Sequence, residues 1–186
     1  MRVGYTEADV ARAVEIVGRQ ESLATVVEAL GCEAVVTAGS AAEAIPHTRR
    51  PPVTGSTANA DLARRLGLVA PSYEGVTGIA GVLHAALDSR GIPSVSLRVG
   101  IPHYLMNAEH PQATDALSRH LSHVLGVPAG VDFSDRIDAW REVHDEIIDT
   151  DEQLRMYVRM LEAEFDRRAE AAIPSADDLA AQFENF

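Results

Sequence analysis

The chain has 186 residues, of which 46% are hydrophobic and 24% charged, and its mass is 20.0 kDa. That length suits one domain, or one domain with an appendage, and the hydrophobic share excludes an intrinsically disordered chain. Its 28 acidic residues against 16 basic ones, all arginine, leave a net charge of −12, which argues against a nucleic-acid binder or a protein of anionic membrane surfaces.

Residues Thr6 to Leu30 read as helix, capped by Thr6 with Asp9 and carrying Val10, Val14, Val17, Leu23, Val26, Val27 and Leu30 at helical spacing. Gly31 stops it. Glu33 to Ala38 is β-branched and apolar and reads as a buried strand ending at Gly39-Ser40. Residues 40–52 read as a loop with a short helical turn, constrained by Pro46, Pro51 and Pro52. Val53 to Thr57 is a short strand, and Asn59 caps a helix from Asp61 to Leu66. A Gly-punctuated turn, Tyr73 to Gly78, opens a helix from Thr77 to Arg90, stopped by Gly91. Pro93 to Val99 alternates Val95, Leu97 and Val99 with polar residues, as a strand does. A loop, 100–104, precedes a helix from Pro111 to Leu125 that Gly126 closes.

Strands separated by helices imply an α/β fold with a mostly parallel sheet and helices on both faces. Only three strands are evident, fewer than such sheets usually have. From Ser134 the pattern changes to an αα-hairpin with a turn at Asp149-Thr150-Asp151. Its stripes are Ile137, Trp140, Val143, His144 and Ile147, then Leu154, Tyr157, Val158, Leu161 and Phe165. A last short helix around Ser175 to Phe183 follows. The stretch 132–186 holds 16 acidic residues and 6 arginines. Two segments therefore follow, an α/β domain over 1–130 and an acidic helical hairpin and tail over 131–186. A two-helix hairpin cannot bury both stripes alone, so Trp140, Ile147, Leu154, Tyr157, Leu161 and Phe165 are expected to pack on the body or on another subunit.

Common catalytic signatures are missing: no G-x-S-x-G, H-E-x-x-H, Walker A or C-x-x-C motif occurs. Cys32, the single cysteine, reads as a small core residue and cannot form an internal disulfide, which fits a cytoplasmic location. No metal site and no cofactor is expected, because His120 and His123 share a helix without a carboxylate at helical spacing. Three loops carry most of the polar chemistry. His47, Thr48 and Arg49 follow the first strand, and His103 and Tyr104 follow the strand 93–99. In an open parallel sheet those loops share the edge where ligands bind. Glu74, Gly75, Thr77 and Gly78, at a helix start, are candidates to join them. In that arrangement His103 is an acid or base oriented by Glu74, and Arg49 holds an anion. The alternative is that these polar groups rigidify turns.

These same residues resemble a known family. Val35-Val36-Thr37-Ala38-Gly39, Pro46-His47-Thr48-Arg49, Val53-Thr54-Gly55, Tyr73-Glu74-Gly75-Val76-Thr77-Gly78-Ile79 and Gly91-Ile92-Pro93-Ser94-Val95-Ser96-Leu97, leading to Pro102-His103-Tyr104, look in this order like the PAC2 family over roughly residues 20–127. That family includes the proteasome assembly chaperones and a bacterial branch, whose C-terminal part the acidic hairpin also resembles. The resemblance implies a three-layer α/β fold related in architecture to nucleoside phosphorylases. It implies self-association, a trimer being one form, and protein partners; it brings no agreed reaction or catalytic residues. Members carry more chain on the N-terminal side, which implies that early strands of the sheet are missing here. Chaperones that dock on proteasome rings end in hydrophobic-Tyr-any, whereas this chain ends Glu184-Asn185-Phe186.

Two functions follow as expectations. One is a non-enzymatic, homo-oligomeric interaction or assembly-chaperone-like protein. The other is a small-molecule enzyme or sensor taking an anion or nucleoside-like ligand at the sheet edge. Neither involves nucleic acid or a membrane span.

Overall fold

A computed structural model describes residues 18, 22–66, 68, 79–128 and 130–171. Glu74, Gly75, Thr77 and Gly78, the start of the first helix and the expected last helix lie outside the described residues.

The described elements make a mixed α/β fold. Residues 22–29 are helical (α1), followed by β1 (Val35–Glu43), β2 (Val53–Ser56), α2 (Ala60–Leu66), α3 (Ile79–Asp88), β3 (Ser94–Pro102), a 3₁₀ turn (His103–Leu105), α4 (Pro111–Leu125), α5 (Ser134–Asp149) and α6 (Glu152–Ala171). The three strands form one sheet in the order β1-β3-β2. Two compact units are distinguished along the chain, residues 1–39 with 53–98 and residues 40–52 with 99–186. No helix among the described residues is long and apolar enough to cross a membrane.

In the first unit, Asn59 caps α2 as expected, its Oδ1 accepting the Leu62 N–H at 2.9 Å. Leu87, Val95 and Leu97 are buried. Ser94 is buried with them although it is polar, because its hydroxyl meets the His84 ring. Cys32 is exposed rather than in the core, since the strand begins only at Val35.

In the second unit, α4 starts with Pro111 at its first turn and ends at Gly126, whose φ of 67° suits glycine and lets its N–H reach the carbonyls of Ser122 and His123. Asp132 Oδ1 accepts the Ser134 N–H where α5 begins. Asp151 Oδ1 accepts the N–H groups of Gln153 and Leu154 where α6 begins, so the turn between the hairpin helices is a capped one. α5 packs on α6 and on α4.

Four further expectations are corrected. β1 does not stop at Gly39-Ser40 but runs to Glu43, and none of its residues is buried. It lies at one end of the strand order, so one of its edges has no strand beside it among the described residues. β3 likewise continues through Gly100, Ile101 and Pro102, with Gly100 N–H donating to the Pro52 carbonyl at 3.0 Å. The segment 44–52 forms a turn at 47–48 and no helix, as its prolines withhold N–H donors. In α5 the buried isoleucine is Ile148, at 5% exposure, whereas Ile147 is 57% exposed.

Candidate functional site

The polar residues singled out in the sequence meet in the second unit, against the hairpin. Pro46 and His47 are fully buried, which is costly for an imidazole unless both nitrogens are bonded. Both are. His47 Nδ1 lies 2.8 Å from the Tyr104 hydroxyl and Nε2 lies 2.9 Å from Asp145 Oδ1 on α5. The same Tyr104 oxygen accepts the His47 backbone N–H at 2.8 Å. A carboxylate can only accept, so Nε2 carries the proton, and the phenol donates to Nδ1. Burial lowers the His47 pKa below its ordinary value; the bond to Asp145 opposes this but does not overcome it. Burial also pushes the Tyr104 phenol up to about 12, so it keeps its proton at neutral pH.

The neighbouring side chains repeat the pattern. Thr48 donates to Glu162 Oε1 on α6 at 2.5 Å. Arg49 makes a two-pronged pair with Asp166, Nε to Oδ1 at 2.9 Å and Nη2 to Oδ2 at 2.8 Å, and its Nη1 reaches Glu162 at 3.3 Å. The guanidinium holds the Asp166 carboxyl below its usual range. His103 Nδ1 donates to the Glu43 carbonyl at 3.0 Å, which leaves Nε2 to accept from the Tyr157 hydroxyl at 3.1 Å. Gln112, buried on α4, donates to the Arg49 carbonyl at 2.6 Å. Aromatic rings fill the gaps. Trp140 lies 4.5 Å from His144, 5.7 Å from His110 and 6.0 Å from His47, centroid to centroid.

The chemistry of this cluster is therefore internal. His47, Thr48, Arg49, His103 and Tyr104 are brought together; side chains of Asp145, Tyr157, Glu162 and Asp166 on the hairpin bond to the first four, and His47 bonds to Tyr104. The anion on Arg49 is a pair of carboxylates of its own chain. Beside the cluster is a depression of about 210 Å³, lined among others by Ile45, Pro46, His47, His110, Gln112 and Trp140. The Trp140 Nε1 donor is buried and has no acceptor among the described residues. Of the expected packing residues, Leu161 is buried, Trp140, Leu154, Tyr157 and Phe165 are half-buried, and Ile147 faces out.

Sequence reasoning missed the acidic partners. Asp145, Glu162 and Asp166 lie 98 to 117 residues from the side chains they meet. The one signal was complementarity, an arginine beside a buried turn and a hairpin rich in carboxylates. His84 was missed as well. In the first unit its Nε2 lies 2.7 Å from Thr37 Oγ1 and its Nδ1 2.7 Å from Ser94 Oγ. Among the described residues no group of three or more His, Cys, Asp or Glu is placed to hold a metal ion.

The PAC2 family model matches residues 13–149. The chain belongs to the PAC2 family. A crystal structure of a PAC2 family protein from Streptomyces avermitilis is 36% identical, with a TM-score of 0.68 over 77% of this chain and 60% of that one. A proteasome-assembly chaperone homologue from Mycobacterium tuberculosis is 37% identical, with a TM-score of 0.66 over 77% of this chain and 61% of that one. Pyrococcus furiosus PbaA, an archaeal homolog of proteasome-assembly chaperone, shares the fold at 18% identity, with a TM-score of 0.54 over 81% of this chain and 63% of that one. This PAC2 chain thus spans about three-fifths of the length of these structures. No curated protein sequence matches it. The family match extends beyond 20–127 at both ends and takes in α5, the helix that carries Asp145.

Proposed function

We propose that this PAC2 chain is a non-enzymatic, homo-oligomeric interaction protein with an assembly-chaperone-like role. One observation carries the reading. Of the polar side chains that a catalytic or ligand site would need, His47, Arg49 and His103 are engaged by the chain's own hairpin and Tyr104 by His47. Of the imidazoles lining the depression, His47 has both nitrogens bonded and His110 spends its Nε2 on the Leu105 carbonyl, and what the cluster does is hold two helices in place. The likeness to the M. tuberculosis proteasome-assembly chaperone homologue supports a protein partner of that class. In this reading the sheet is mostly parallel, within a three-layer architecture like that of nucleoside phosphorylases, and residues 1–130 and 131–186 act as body and hairpin. An exposed, unbridged Cys32 supports a cytoplasmic setting.

Light scattering on the chain is the direct test. A mass that is a multiple of 20.0 kDa is expected, and a clean monomer overturns self-association. The competing reading, an anion or nucleoside-like ligand held by His47, Thr48, Arg49, His103 and Tyr104 with Glu74, Gly75, Thr77 and Gly78, requires such a ligand to displace Glu162 and Asp166 from Arg49. A thermal shift with phosphate or a nucleoside that His103→Ala erases would favour that reading instead.

A further inference from the structure

One edge of the apolar stripe of α5 is left exposed among the described residues. The helix's inward side carries Ile137, Trp140, His144 and the buried Ile148. Val143 and Ile147, one turn apart, are 54% and 57% exposed. Two branched aliphatic side chains on one face of a helix form a continuous apolar strip. Glu142 and Glu146 immediately precede them, and with Asp138 they form a row at i, i+4 and i+8, continued by Asp149. All four carboxylates are exposed, and none has an ion-pair partner among the described residues. Like charges at this spacing repel along the helix. Among the described residues the face therefore combines exposed apolar surface with unpaired negative charge.

We infer that this face of α5 docks a basic amphipathic helix of another polypeptide. Apolar side chains of such a helix cover Val143 and Ile147, and its flanking cations meet Glu142 and Glu146. Charge selects this occupant over a second copy. Two copies facing each other here would bring two uncompensated carboxylate rows together, in a chain whose net charge is already −12. Self-association then uses other surfaces. The inference rests on the interaction reading and assigns it one face and one partner chemistry.

The test uses the full chain and a fluorescein-labelled helical peptide of about 18 residues with leucines on one face and arginines on its flanks. A peptide of the same composition, shuffled to destroy the apolar face, is the control. Anisotropy should show binding of the amphipathic peptide that is roughly tenfold or more tighter than that of the control. Val143→Ser with Ile147→Ser, and separately Glu142→Gln with Glu146→Gln, should each weaken it by roughly tenfold or more. All four positions are exposed, and far-UV circular dichroism should not change. No binding, equal binding of the shuffled peptide, or insensitivity to either double variant overturns the proposal. So does a fall in light-scattering mass in the variants, which would assign the face to a second copy. The unaltered chain's mass tests the broader reading separately.

Discussion

Two imidazoles, one in each unit, solve the same problem with different partners. His84 sits between two hydroxyls, Thr37 and Ser94, both at 2.7 Å. His47 sits between a phenol and a carboxylate, Tyr104 and Asp145. Burial lowers the pKa of both. The His84 bridge is neutral throughout and ties α3 to β1 and β3. The His47 bridge ends on a charge and ties the turn after β1 to α5. The first has the character of internal packing, and the second that of a latch whose far end is half in water: the Asp145 side chain is 54% exposed.

The difference can be broken at several points. The largest effect is expected from His47→Ala. It removes a fully buried side chain, strands Tyr104 and frees Asp145, and should cost about 2–4 kcal/mol in urea unfolding. His84→Ala should cost less, about 1–2 kcal/mol, because the ring is only half-buried and the main loss is a partner for the buried Ser94 hydroxyl. Acid sharpens the contrast. Each imidazole has a lower pKa in the fold than in the unfolded chain, so the unfolded state binds more protons below about pH 6.5. Stability should be full above that value and fall as pH drops through it, and His47→Gln and His84→Gln should each flatten the thermal melting curve's dependence on pH. A second loss follows at lower pH. Asp166 is held below its ordinary value of 3.8 by Arg49, so its contribution is present above that value and disappears as pH falls through the lowered one. The smallest effect is Arg49→Lys. It keeps the charge but loses the two-pronged geometry, and since both partners are partly exposed the melting temperature should move by only a degree or two and less in high salt.

How much of this was legible in the sequence depended on distance along the chain. The ends of α4 at Pro111 and Gly126, the cap at Asn59 and the turn at Asp149 to Asp151 were readable because caps and breakers act within a few residues. The end of β1 was not, because Gly39 and Ser40 are stop signals that strand pairing overrides. Adjacent isoleucines at 147 and 148 fit a helical stripe almost equally well, and only packing decides that Ile148 is the buried one. The structure does bring His47, Arg49, His103 and Tyr104 together. What they touch was not legible, since no local pattern pairs His47 with Asp145 or Arg49 with Asp166.

Glu162 and Asp166 stand one turn apart on α6, where two carboxylates push against each other. Arg49 reaches across to both. That turn of the helix is thus underwritten by a residue more than a hundred positions earlier, and an excised hairpin should fray there. If this stretch of α6 sets only after the proline-rich turn has formed, substitutions at Glu162 or Asp166 should quicken unfolding while leaving the refolding rate nearly unaltered, which stopped-flow chevrons would check.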